Sequence, residues 1–208
     1  MTLGMTPGQI VVLNGAPRSG KSTIARAIQD TFDGVWMNLG VDVFIAATPP
    51  KARPGIGLRP GEEQHHVYSL VPQLYAAAYD AIAAHSRNGL NVVADFGHHD
   101  ATILADCARR LTGLPVLFVG VRCPLDVIMQ RRAESEPGSY VVATDDDPVP
   151  EPVRRWQERV HGPWPYDLEL DTSVLDPGEC AAAIRRRLDE GPGTAFTKIA
   201  ATVDPRSP

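Results

Sequence analysis

The sequence predicts a three-layer α/β/α domain built on a five-stranded parallel sheet, for three reasons. Five short runs read as strands, at residues 9–14, 36–41, 91–95, 115–121 and 167–171. Those at 9–14, 91–95 and 115–121 are almost continuously apolar, as strands covered on both faces are. Helical patterns separate the runs, and strands alternating with helices imply parallel pairing with helices on both sides.

Each element has its own local reason. After a short lead-in, the β-branched run 9–14 (QIVVLN) is a buried central strand, followed by a glycine-rich turn. Residues 22–31 are helical, with Ile24, Ala27 and Ile28 on one face. Residues 36–41 read as a second strand ending at Asp42. Proline and glycine crowd 48–60, which makes it an irregular loop, and loops of that length in compact domains are usually functional. Residues 62–88 read as helix with a break at Pro72 and a stop at Gly89. Within it Tyr68, Leu74, Tyr75, Ala78 and Ile82 recur at near-helical spacing, a core-facing stripe. Asp100 is placed as the N-cap of a helix over 100–111. Further helices are expected over 125–136, 152–160 and 179–188. An acidic, proline-flanked loop fills 137–150, with Asp145 to Asp147 solvated. Residues 1–190 thus form one domain with a lid region at about 125–160. Residues 191–208 lack amphipathic pattern and are expected to be a loosely ordered C-terminal tail.

The chain has 208 residues, room for one such domain and a squeeze for two. A net charge of −5 argues against a nucleic-acid partner bound through its phosphates. The three cysteines, Cys107, Cys123 and Cys180, have no metal-site or disulfide spacing and read as small buried hydrophobes. No run has signal-peptide or membrane-span character, so no membrane is expected and the expected location is cytoplasmic.

Gly15-Ala16-Pro17-Arg18-Ser19-Gly20-Lys21-Ser22 fits G-x-x-x-x-G-K-[ST] at every fixed position, between a strand and a helix. Average residue usage produces the pattern in roughly 1% of chains this long, before that context is required. In such a P-loop the glycines let backbone N–H groups cradle phosphate oxygens, and the helix opening at Lys21 adds its positive end. Residues Gly15 to Thr23 are the expected ATP cradle, with Lys21 on the β- and γ-phosphates and the Ser22 hydroxyl on Mg²⁺.

Ligands of parallel sheets bind at the carboxyl ends of the strands. Gly15, Asp42, Asp95 and Arg122 all follow strand-like runs, so one edge collects them. Phosphoryl transfer to a hydroxyl needs a carboxylate that orients the nucleophile or takes its proton. Asp42, beside the long loop, is placed where an acceptor would lie. Asp95, ending the strand next to the P-loop, is the expected Mg²⁺-side acid. Helix capping or turn formation is the competing role for each. Arg131, and Arg132 beside it, lie on the helix that opens the lid, where a guanidinium stabilises charge on a transferring phosphoryl group. Adjacent helical residues diverge, so one of the two must point away. The same divergence makes His65-His66 and His98-His99 poor metal pairs, and His98 or His99 is instead near enough to Asp95 to touch an acceptor.

The P-loop, Leu39-Gly40-Val41-Asp42, the aspartate of the third strand and Phe118-Val119-Gly120-Val121-Arg122-Cys123 together resemble the chloramphenicol phosphotransferase family. Val160-His161 leading into the segment from Tyr166 to Thr172 adds to the likeness, which runs from about residue 9 to 188. The resemblance implies a P-loop kinase that moves the γ-phosphate of ATP to a primary hydroxyl of an antibiotic, with Asp42 as general base. The family's enzyme spreads arginines through the segment after Arg-Cys. Here 133–139 is acidic and lacks the later ones, leaving Arg154, Arg155 or Arg159 to supply that charge. Segments 49–61 and 145–147 have no counterpart, so the likeness reaches less far on the acceptor than on the phosphates. Two other readings fit the same motifs: a metabolic kinase of nucleosides or other small molecules, and a non-catalytic regulatory module that uses ATP as a switch.

Overall fold

A computed structural model describes residues 6–55, 58, 65–136, 140–141, 143–144 and 147–202. Its five strands are β1 (Ile10–Asn14), β2 (Trp36–Asn38), β3 (Asn91–Phe96), β4 (Val116–Arg122) and β5 (Leu168–Asp171). They form one sheet in the order β2-β3-β1-β4-β5, parallel throughout. The helices are α1 (Lys21–Thr31), α2 (Val41–Ala47), α3 (Val71–Arg87), α4 (Ala101–Arg110), α5 (Leu125–Ala133), α6 (Glu151–Arg159), α7 (Pro177–Asp189) and α8 (Ala195–Thr202).

Strand alternation divides the core. Ile10, Val12, Val92, Ala94 and Phe118 face α3, α4 and α8, packing on Tyr79, Ile82, Leu104, Cys107 and Phe196. Val11, Leu13, Val93, Leu117 and Val119 face α1 and α7, packing on Ile24, Ile28, Cys180 and Ile184. Both faces are therefore dry, which is why β1, β3 and β4 are apolar without alternation. A third cluster roofs the carboxyl end: Ala16 of the P-loop, Leu58, Cys123, Ile128, Val153, Trp156 and Val160. The three cysteines are buried and unpaired.

The structure corrects four readings. The second strand stops at Asn38, and Asp42 lies in the first turn of α2, after Gly40 as N-cap. Of the run 36–41, Val41 already belongs to α2, and a short apolar run does not separate strand from helix by pattern. Pro72 does not break a helix; it opens α3, where a missing N–H costs nothing, and 65–70 is a 3₁₀ turn. The helix read as 125–136 ends at Ala133. The tail is the fourth. Phe196 and Ile199 of α8 are buried. Asp167 anchors its start by accepting from the backbone N–H groups of Thr194 (2.7 Å) and Ala195 (3.0 Å). Of the segments 49–61 and 137–150, residues 56, 57, 59–61, 137–139, 142, 145 and 146 lie outside the described residues.

Candidate active site

The P-loop leaves β1, the centre of the sheet, and turns into α1. Gly20, its N-cap, sits at φ +96°, a conformation L side chains rarely adopt, so glycine is required there. Arg18 is also left-handed, at φ 69°. The Lys21 ammonium folds back onto the carbonyls of Gly15 (2.8 Å) and Ala16 (2.9 Å). Enclosure by protein lowers its pKa to about 8, against the opposing pull of Asp95 and Asp42. Both carboxylates therefore reach Lys21 electrostatically, Asp95 from the end of β3 and Asp42 from the first turn of α2.

Asp95 is buried and accepts from the Ser22 hydroxyl at 2.6 Å. Its carboxylate rests against the backbone of Gly40, where an added Cβ would fall 1.5 Å from Oδ1. That contact explains the glycine of Gly-Val-Asp: only a bare backbone lets α2 start so close to Asp95. Asp42 is exposed toward the cleft and accepts no hydrogen bond among the described residues.

Arg131 lies on the other side of the loop. It donates to Thr172 Oγ1 (3.1 Å), to the Thr172 carbonyl (2.6 Å) and to the Arg18 carbonyl (3.3 Å). Arg18 answers by donating to the Arg131 carbonyl at 2.5 Å. Thr172, at the end of β5, also donates to the Ser19 carbonyl (2.8 Å), so β5, α5 and the P-loop form one bonded unit. Arg132 points the other way. It is buried, 4.6 Å from the Tyr140 ring, and donates to the Val141 carbonyl. Arg122 is a further correction: it pairs with Glu169 at the sheet edge and does not line the cleft.

A single cleft of about 1470 Å³ joins these groups. Leu175, Asp176, Pro177 and Cys180 line one end, beside Thr172 and Arg131. Val41, Asp42, Arg53, Tyr75, His98, His99, Ile103, Trp156 and Arg159 line the other. His98 is fully enclosed among Tyr75, Tyr79, Phe96 and Phe118; Tyr79 bonds its Nε2 at 2.8 Å and burial drops its pKa to about 3. His99 meets Trp156 in a tilted ring contact at 4.3 Å, so the adjacent histidines do diverge. His161 serves packing: its Nδ1 meets the Tyr166 hydroxyl, which also accepts from Asn14. The side chains of His65 and His66 lie outside the described residues.

The contacts that Thr172 and Gly40 make at the cleft are not legible in the sequence, and Arg159 is singled out there only together with Arg154 and Arg155. Thr172 only follows a strand, and the reason for Gly40 sits 55 residues away in Asp95.

The donor set fits a nucleotide and a hard cation. Buried Ser19 Oγ has no hydrogen-bond partner among the described residues, Lys21 is held only by carbonyls, and Ser22 with Asp95 presents two oxygens of the kind Mg²⁺ prefers. No helix among the described residues is long and apolar enough to cross a membrane.

Comparison with known proteins finds phosphotransferases and kinases. A curated Mycobacterium tuberculosis protein provisionally named as an O-phosphotransferase is 29% identical over 211 aligned residues, 94% of this chain and 89% of the relative. Similar solved structures include a sugar kinase from Janibacter sp. HTCC2649 (TM-score 0.64, 19% identity, 88% of this chain and 95% of that one). Another is the tunicamycin resistance protein of Deinococcus radiodurans (TM-score 0.59, 20% identity, 87% and 95%). A third is the APS kinase of Mycobacterium tuberculosis (TM-score 0.59, 16% identity, 88% and 98%). At these identities the structures establish the shared P-loop kinase fold. The family model for chloramphenicol phosphotransferase-like proteins matches residues 8–189, and the chain belongs to that family of phosphotransferases.

Proposed function

We propose that the protein is an ATP- and Mg²⁺-dependent O-phosphotransferase acting on a small-molecule hydroxyl. The observation that carries this reading is the pair of carboxylates around Lys21. Asp95 is bonded to Ser22 on the phosphate side, whereas Asp42 stands unbonded on the acceptor side of the same cleft.

In this reading Ser22 and Asp95 would hold Mg²⁺, which would supply neutralising charge to the phosphate oxygens. Lys21 swings from its carbonyl partners to the phosphates. Asp42 accepts the acceptor hydroxyl's proton as that oxygen bonds the γ-phosphorus and the bond to the β-phosphate oxygen breaks, releasing ADP. Arg131, already fixed against the P-loop, meets the charge that develops on the transferring group. The cleft's mixed aromatic and polar lining suits a drug-sized acceptor such as an antibiotic, and the tunicamycin resistance relative supports that class. The sugar kinase relative supports a metabolic acceptor instead.

The test is incubation with ATP, Mg²⁺ and a panel of hydroxylated antibiotics, nucleosides and sugars, with phosphorylated product read by mass spectrometry. Asp42→Asn should lower kcat by about 10²- to 10⁴-fold while leaving ATP affinity in place. Equal turnover by the variant removes Asp42 as the base. Tight nucleotide binding with no transfer to any acceptor would favour a nucleotide-driven switch.

A further inference from the structure

Resting on that phosphotransfer reading, we infer that the acceptor carries an anionic group besides its hydroxyl, a carboxylate or a phosphate monoester, and that Arg159 binds it.

Three arginines sit on α6, and two have carboxylates of their own. Arg154 faces Asp147 at 3.8 Å and Arg155 faces Glu151 at 3.3 Å. Arg159 makes no hydrogen bond or ion pair among the described residues. It nevertheless lines the cleft, on the same stripe as Arg155 and Trp156, since residues three and four apart share a helix face.

Trp156 fixes where that stripe points. Its ring is buried against the turn after β3, in tilted contact with His99 at 4.3 Å, and an added Cβ at Gly97 would fall 2.6 Å from it. The stripe therefore stands over residues 97–99, which follow β3 on the acceptor side. The phosphate side already has its cations, in Lys21 and Arg131.

A second cation without a carboxylate lines the same half. Arg53 donates to the carbonyls of Thr48 (2.7 Å) and Ala46 (3.3 Å), which orient its guanidinium without neutralising it. Against these two stand Asp42 and Asp100, and the Asp100 carboxylate is occupied capping α4. The whole chain carries −5, so positive charge here is not the overflow of a basic protein.

This polarity sets the direction of binding. Asp42 repels an anion and accepts from a hydroxyl; a guanidinium does the reverse and grips carboxylate or phosphate in bidentate fashion. An acceptor with its hydroxyl at Asp42 and its anion at Arg159 would lay its body along Tyr75, Phe96 and Ile103.

The test uses scaffolds in neutral and anionic forms: glucose with gluconate and glucose 6-phosphate, and methyl 4-(hydroxymethyl)benzoate with its free acid. Transfer is read by mass spectrometry. Binding to the full chain loaded with Mg²⁺ and a non-hydrolysable ATP analogue is read by tryptophan fluorescence. The expected result is preference for an anionic member of a pair, with the benzoate and 6-phosphate arms separating carboxylate from phosphate. Arg159→Gln should raise that acceptor's KM or Kd about 10- to 100-fold, the loss expected for one charged hydrogen-bonded contact, while the KM for ATP moves less than about two-fold. Arg159→Lys should recover part of the loss. Equal use of neutral members overturns the inference, as does a rise in the KM for ATP, which would assign Arg159 to the transferring phosphates. If nothing is phosphorylated, the phosphotransfer reading fails on its own, and binding still decides this one. Saturable, Arg159-dependent anion binding sustains it, and none by any anionic member sinks it.

Discussion

In the proposed reading the cleft has a phosphate end and an acceptor end, and the two are built differently. The phosphate end is made of backbone: six residues between β1 and α1 set the loop, and Thr172, Arg18 and Arg131 tie it down through main-chain carbonyls. The acceptor end is made of side chains from scattered segments, namely α2, the loop at Arg53, Tyr75 on α3, the turn at His98 and His99, and α6. A backbone-built site depends on local spacing and tolerates little change. A side-chain-built site is free to vary its ligand while the fold stays fixed, which is how one P-loop scaffold serves many acceptors.

Lys21→Met breaks the phosphate end most directly. It removes the cation that both carboxylates face and the donor to the Gly15 and Ala16 carbonyls. The expected loss is about 10³-fold in kcat/KM for ATP, with the acceptor's Kd in the absence of nucleotide unchanged, by titration calorimetry. A comparable loss of acceptor binding would mean that the two ends are not separable.

Gly40→Ala tests the seam between them. The new Cβ would overlap Asp95 Oδ1, so either the carboxylate leaves Ser22 or α2 shifts and carries Asp42 with it. Displacements of about 1 Å cost on the order of 10²-fold in rate. If Asp95 is what moves, nucleotide affinity should fall in the presence of Mg²⁺ and hold in EDTA. If α2 moves, affinity holds in both and only kcat drops. Full activity would show that the close packing has no functional consequence.

The same contrast decided what could be read in advance. The P-loop, the parallel sheet and the helix capped by Asp100 were legible because their determinants are adjacent in sequence. Asp42 and Asp95 are singled out by their place after strand-like runs, and both line the cleft, although β2 is three residues long and Asp42 lies in the first turn of a helix. The helix α8 was missed because its window is short and its start is anchored by Asp167, 27 residues upstream. Arg159 was named only as one of three lid arginines. Arg155 has Glu151 one helical turn before it, a pairing the spacing allows, whereas what separates Arg159 from Arg154 is the position of Asp147 in space.

The pH scale offers a milder test, because the two ends respond at opposite extremes. Lys21, at about 8, is half deprotonated in the free enzyme at that pH and loses the rest of its charge above it. The kcat/KM for ATP should then fall toward tenfold per pH unit, while kcat holds to higher pH, since bound phosphates favour the ammonium. Superimposable limbs would mean that Lys21 is not the titrating group.

At the acceptor end the sensitive quantity is stability. His98, at about 3, stays neutral in the fold while an unfolded chain takes up its proton near 6.5. Above 6.5 both states are neutral and the group contributes no pH dependence. As pH falls from 6.5 toward 3 the unfolded state binds one proton more, so the fold loses about 1.4 kcal/mol per pH unit through this histidine. His161, at about 4, adds a similar slope down to that pH. Urea unfolding at pH 7, 6 and 5 should show His98→Phe less stable at pH 7, because the Tyr79 hydroxyl loses its partner, yet with roughly half of the histidine-borne slope. An unchanged slope would mean that His98 is protonated within the fold, and that the aromatic wall behind the acceptor is wetter than its packing implies.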